Sequence, residues 1–442
     1  MKSTARLLIL LLATTAAAQN TDIEALSGLQ FNFGNPGARA LGMGGAFIGL
    51  ADDASAAEAN PAGLTILRVP EVSLEMRQAT IAQRFVTGGT FPFITTRDFP
   101  SRETSVNFAS VVLPTKPAAL ALYYHRPLSF TNRVDLTGRY GTPNFFLGPD
   151  GPVSPENCAA DCTEHRIYPF STSVDVEMET FGLAAARQWR TLSFGAGVRY
   201  HRFSEEADTF RRDLDAPGQP VFVVAQTNGG QTIGRRSDRD VTFVGGLRWT
   251  PLPSFSAGAV FKKGPTFPVS IAAAHNVDVP MQVVDTTEFH VPTTFGAGIS
   301  LRPVQQVTIN IDAVHVGYGK LTDRFISVIE YGTEEGGPIE QVSGYRTTDG
   351  MEIHAGIEYF TLSKYPVGMR AGWWRDPAHA ISYRGAMRTS HEVAARILFP
   401  ETEAENHYSV GIGIAFPRVG IDVAYDTSRS IRSASVSVIA RR

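Results

Sequence analysis

A few groups of residues in this 442-residue chain have types that could do chemistry. Its two cysteines, Cys158 and Cys162, lie close together, with His165 just beyond them. Two thiolates and one imidazole are an incomplete zinc set, and the spacing is not a zinc signature. In an oxidising compartment the pair instead closes a small loop as a disulfide. The run Gly37 to Gly49 has the glycine density of a phosphate loop. No strand with a Gly-x-Gly-x-x-Gly turn leads into it, and no Gly-Lys-Ser/Thr follows, so phosphate binding is a weak reading. Asp312, Glu352, His354 and Glu358 put charge on strand-like stretches and read as wall contacts rather than acid–base machinery. Neither Gly-x-Ser-x-Gly nor His-Glu-x-x-His occurs. The expectation is a protein with no catalytic residue, no metal and no cofactor.

The elements that must position these residues follow from pattern. Hydrophobic residues make up 43% of the chain, charged residues 19%, and the net charge is −3. That charge gives no basic field for nucleic acid. Past the first twenty residues no apolar run approaches the ~18–20 residues of a membrane helix, which leaves a membrane β-barrel open. Met1 to Arg6 is basic, Leu7 to Leu12 is apolar and Ala16-Ala17-Ala18 is small, the tripartite form of an export signal cleaved after Ala18.

From residue 70 onward apolar and polar residues alternate with the period of a strand. Tyr408, Val410, Ile412 and Ile414 oppose Ser409, Gly411 and Gly413; Val307, Ile309 and Ile311 oppose Thr308, Asn310 and Asp312. The polar faces mix single charges with glycine and serine, which suits a barrel lumen better than bulk water. The pattern predicts fourteen strands, near 70–83, 102–113, 118–133, 172–188, 191–207, 237–250, 255–264, 291–301, 306–318, 351–361, 367–375, 407–415, 419–426 and 432–440. Short turns such as Pro417-Arg418 alternate with long polar connections, the plan of an outer-membrane barrel with its ends on the periplasmic side. In Val174 to Arg187 the apolar phase slips from Val174, Val176 and Met178 to Phe181 and Leu183, which predicts a β-bulge there.

Residues 19–69 do not alternate. They are rich in glycine and alanine, and a compact segment of that kind could plug the wide interior of a fourteen-stranded barrel. Gly37-Ala38-Arg39-Ala40-Leu41-Gly42-Met43-Gly44-Gly45-Ala46-Phe47, Ala51-Asp52-Asp53-Ala54-Ser55 and Asn60-Pro61-Ala62-Gly63-Leu64 closely resemble the N-terminal hatch of FadL-type outer-membrane proteins, transporters of long-chain fatty acids and hydrocarbons. Weaker similarity runs through Val291 to Gly298, Asn310 to Tyr318 and Gly368 to Trp373. The chain departs from such barrels in ending Ile439-Ala440-Arg441-Arg442, without a terminal aromatic.

The resemblance implies an all-β fold, a 14-stranded antiparallel transmembrane β-barrel. Its parts are a signal peptide (1–18), a hatch (19–69) and the barrel (70–442). It implies a transporter of hydrophobic compounds in the outer membrane of a Gram-negative bacterium, a monomer in contact with outer-membrane lipid and the barrel assembly machinery. Ligand lands on outer loops, enters a pocket and leaves sideways through the wall. The alternative is a barrel of the same superfamily acting in protein secretion or lipoprotein shuttling. Proline removes a ladder donor, so Pro127 in the third strand is expected to mark the lateral opening. Asn60, Pro61 and Ala62 form the hatch turn, expected to dock beside that opening. Asp52 and Asp53 are expected to anchor the hatch on lumen arginines such as Arg199, Arg248 or Arg370. Phe145, Phe146, Leu147 and Phe222 are candidate pocket residues, since exposed apolar loops usually bind something.

Overall fold

Alternation along each strand becomes an inside and an outside. The computed structural model describes residues 32–90, 93–136, 140–143, 147–148, 151–152, 164–166, 170–212, 220–228, 236–274, 282–322, 344–385, 396 and 399–442. Fourteen strands form the wall. They are β1 (Glu71–Thr90), β2 (Phe93–Pro114), β3 (Ala119–Leu136), β4 (Phe170–Trp189), β5 (Leu192–Arg212), β6 (Arg236–Leu252) and β7 (Phe255–Lys262). They continue as β8 (Thr294–Val304), β9 (Val307–Val316), β10 (Gly350–Phe360), β11 (Val367–Asp376), β12 (Glu405–Ala415), β13 (Val419–Thr427) and β14 (Ile431–Arg441). Each pairs antiparallel with the next, and β14 returns to β1 from Glu71–Arg441 to Ile81–Ile431, closing the barrel. The Arg441 guanidinium meets the Glu71 carboxylate at 2.7 Å on that seam. Closure leaves no free sheet edge at the seam.

One rim carries short turns at 115–118, 190–191, 253–254, 305–306, 361–366 and 416–418. The other rim carries the long connections, with two exceptions, of which the sequence pattern foresaw only the second. There β1 and β2 run on to Thr90 and Phe93, and β13 joins β14 through 428–430. Beyond Lys262 and before Thr294 the chain adds two outer strands, Thr266–Ala274 and Gln282–His290. A third, Pro220–Asn228, links them to the outer end of β5.

Outward side chains are apolar: Leu183 is 61% exposed, Val198 57% and Val410 60%. So continuous an apolar outer surface is the kind that membrane barrels carry. No described helix is long and apolar enough to cross a membrane.

The phase slip in β4 has a different cause from the one expected. β4 pairs with β5 from Phe170–Arg211 to Trp189–Leu192 without a register break. Val174, Val176, Met178, Thr180, Ala184 and Ala186 all point inward and are buried. What changes is the environment. Near the short-turn rim the outward face is the apolar one, with Phe181 and Leu183 exposed on it. Toward the other rim the interior itself is apolar, a core containing Leu128, Phe130, Val176, Met178, Phe203 and Phe267. Phe203 stacks on Phe267 at 4.6 Å and on Phe289 at 4.9 Å. The bulge lies across the ladder in β3, between His125 and Leu128.

The N-terminal segment packs on the inward face of the wall. It holds two short helices, α1 (Ala38–Gly42) and α2 (Ala56–Ala59), and a 3₁₀ turn, Pro61–Ile66. Asn60 caps that turn by accepting from the Ala62 N–H at 3.2 Å, with Pro61 at its first position. Glycines on the wall make room for it. A Cβ on Gly372 of β11 would sit 2.1 Å from Gly44 N, and one on Gly195 of β5 2.3 Å from Ala62 N.

Candidate functional site

The wall is not paired along its whole height. β1 and β2 stay paired out to Thr90–Phe93, with bulges at Asn107 and Thr87. β2 and β3, by contrast, pair only from Pro114–Ala119 up to Phe108–His125. Beyond that pair β3 continues with β4 alone, after Arg126 and Pro127 bulge out of register. Pro127 has no N–H to offer a neighbour, so it stands where the wall between β2 and β3 comes apart.

Behind this opening lies a cavity of about 140 Å³. Phe33, Leu41, Ile81, Leu128, Phe130 and Trp374 form its apolar lining. Glu103, Ser105 and Asn107 of β2 and Arg126, Pro127 and Ser129 of β3 border it on the side of the gap. On the far side, Trp374 is sandwiched between His407 at 3.8 Å and His354 at 5.3 Å.

The basic side chains around the cavity each face a carboxylate. Arg77 meets Glu75 at 2.7 Å and Arg126 meets Glu177 at 2.9 Å. His354 faces Glu352 at 3.2 Å, and His407 faces Asp426 at 2.7 Å. Glu75 accepts from Ser435 Oγ, Arg77 Nε, Asn107 Nδ2 and the Gly37 N–H, which satisfies both of its oxygens.

Solved structures with this architecture are known. A Pseudomonas aeruginosa FadL homologue superposes with a TM-score of 0.60 at 13% identity, over 94% of this chain and 99% of the other. The P. putida toluene transporter TodX gives 0.58 at 13% identity, over 93% and 99%. The Ralstonia pickettii toluene transporter TbuX gives 0.56 at 15% identity, over 93% and 99%. This chain has the FadL-type barrel fold. No protein-family model matches the sequence, and no curated protein is similar to it at the sequence level.

Within this FadL-type barrel the N-terminal segment is fastened by side chains of the wall. Asp312 Oδ2 accepts from the Phe47 and Ile48 N–H groups at 2.6 and 2.7 Å. Ser409 Oγ accepts from the Gly44 N–H at 2.8 Å, and His354 Nδ1 lies 2.6 Å from Gly44 O. Glu358 takes a two-pronged contact from Arg39 at 2.8 and 2.7 Å and a third from Arg370 at 2.7 Å. Glu58 gathers Tyr123 at 2.7 Å, Lys262 at 3.3 Å and Arg199 at 3.4 Å. Burial alone pushes the Glu58 carboxyl up, but Lys262, Arg199, His125 and the Tyr123 hydroxyl hold it at about 2.

The expected anchors pair differently. Asp52 meets Arg39 at 2.5 Å and Arg302 at 3.9 Å, and Asp53 meets Arg39 at 3.6 Å. Of the three arginines expected to hold them, Arg199 serves Glu58, Arg370 serves Glu358 and Asp422, and Arg248 donates to Thr250. The partner of both aspartates is Arg39, inside the same segment, so these contacts brace the segment more than they tie it to the wall.

The Asn60-Pro61-Ala62 turn sits elsewhere than expected. Asn60 Nδ2 donates to Ile48 O at 3.0 Å and to Leu247 O of β6 at 3.2 Å. The turn rests against Gly195 of β5 and Gly246 of β6, two strands and more from Pro127. Phe145, Phe146, Cys158 and Cys162 lie outside the described residues, as do the side chains of Leu147 and Phe222.

Sequence reasoning missed Arg39, Glu58, Glu103, Ser129 and Trp374. Trp374 had a signal: an indole on the inward phase of a strand whose outward phase is Met369, Ala371 and Trp373.

Proposed function

We propose that this chain is a monomeric outer-membrane transporter for small hydrophobic compounds. The single observation that carries the reading is the cavity standing directly behind the place where β2–β3 pairing stops. Ligand is captured among the outer loops, rests in the cavity and leaves sideways into the membrane between β2 and β3. The N-terminal segment acts as a hatch, closing the aqueous route through the lumen. An apolar solute gains by passing from one apolar environment to another and nothing by entering water. Unpaired backbone is tolerated at membrane depth where it lines a cavity, which fits the gap and the space behind it.

Size and charge favour a compact neutral ligand. An apolar cavity of about 150 Å³ holds benzene, and this one is of similar volume, about 140 Å³. The arginines and histidines that line it face carboxylates at 2.7 to 3.2 Å, so a ligand carboxylate meets no unmatched basic side chain among the described lining residues. Toluene-sized hydrocarbons are therefore preferred over long-chain fatty acids. The names of TodX and TbuX, toluene transporters, support the same reading.

The test is uptake of ¹⁴C-toluene and ¹⁴C-oleate by Gram-negative cells that lack their own channels of this kind and express the chain. Toluene uptake above that of cells without the chain, with oleate near background, is expected. Background uptake of both would contradict the reading.

A further inference from the structure

Above their last backbone pair, β2 and β3 are still joined by a side-chain contact: the Ser129 hydroxyl of β3 donates to Glu103 Oε1 of β2. We propose that Ser129 and Glu103 form a latch across the wall opening, and that its release sets the rate at which ligand leaves the cavity. This rests on the lateral route proposed above.

Three features support a latch rather than a brace. First is position. Both residues line the cavity, and both lie beyond the Phe108–His125 pair where the ladder ends. Second is the state of the carboxylate. Glu103 Oε2 is buried with no hydrogen-bond partner. A half-satisfied buried carboxylate is costly, so the closed arrangement has little to hold it beyond the serine. Glu75 gives the contrast, on the neighbouring strand β1 and also facing the lumen. Four donors satisfy both of its oxygens. Third is the freedom of the strands. Each carries an irregularity just below the latch, at Asn107 in β2 and at Arg126–Pro127 in β3. Bulges bend a strand locally, so the segments bearing Glu103 and Ser129 can move apart while the paired base of the wall stays fixed.

The test uses the full chain in cells, with ¹⁴C-toluene as the probe. S129A and E103A should each raise the initial uptake rate several-fold. The double variant should be no faster than either single one, because both remove the same contact. E103Q keeps an acceptor oxygen and should stay closer to wild type than E103A. Heat-modifiable migration in gels confirms that each barrel is folded. In a second arm, E103C and S129C are combined in a C158S/C162S background and joined by a short bifunctional thiol reagent. Uptake should fall to background and return on reduction. Single variants at the wild-type rate, together with a cross-link that blocks uptake, would overturn the latch and leave the lateral route standing. A cross-link that leaves uptake unchanged would overturn the route itself.

Discussion

The wall from β5 to β12 and the wall at β2–β3 are built from the same alternating strands, yet they solve opposite problems. On the first, inward glycines bring backbone against backbone. Gly195, Gly246 and Gly372 leave no room for a Cβ because the N-terminal segment fills it. On the second, a bulge and a proline end the ladder, and a cavity takes the place of a packed neighbour. One region gains close contact by deleting side chains, and the other gains an opening by deleting hydrogen bonds. Both depart from regular strand chemistry. The difference teaches that a weak point in strand propensity is a seal or a gate depending on what faces it.

The largest predicted effect breaks the sealed side. Gly372→Leu would drive a side chain into Gly44 and Met43. Overpacking of this kind costs about 3 kcal/mol or more. The expected outcome is loss of heat-modifiable folded barrel, or a segment open to protease. Next comes Asp312→Ala, which strands the Phe47 and Ile48 N–H groups. Leaving them unmet should cost about 3 kcal/mol, read as a lower unfolding temperature in detergent and faster proteolysis of residues 32–69. On the open side, Pro127→Val should cut toluene uptake several-fold while moving stability by less than about 1 kcal/mol, because β3 regains a ladder donor where the gap begins.

The smallest effect concerns acid. Glu58 sits at about 2, below its ordinary 4.5. Its stabilisation is complete above the unfolded value and is lost as pH falls through about 2. Unfolding temperature should be flat in Glu58-dependent terms from pH 5 upward and fall below pH 4. Glu58→Gln should flatten that acid limb, and an unchanged limb would mean that Glu58 does not set it.

The fourteen strands were legible because an apolar outer face and a lumen on the other side impose period two on every wall strand. Predicted ends such as 255–264 and 407–415 fall within two residues of Phe255–Lys262 and Glu405–Ala415. The slip in β4 was misread because periodicity reports which face is apolar and not why. An exposed apolar face at Phe181 and a packed core inside Val176 leave the same kind of trace. The partners of Asp52, Asp53 and Glu58 were not legible. Which arginine reaches which carboxylate depends on how far round the barrel each strand lies, and spacing along the chain does not encode that. Pro127 was legible as a ladder breaker, since its missing donor is a property of the residue itself. Glu103 and Ser129 were not, because nothing local marks a contact between two strands that have stopped pairing.

A small hydrocarbon is proposed to rest in the cavity behind the β2–β3 gap. Photolabelling of the purified chain with a phenyl diazirine, followed by peptide mapping, tests it most directly. Labels on Leu128, Phe130 and Trp374 that excess toluene suppresses are predicted. Labels confined to the outward belt, at residues such as Leu183 and Val410, and indifferent to toluene, would contradict it.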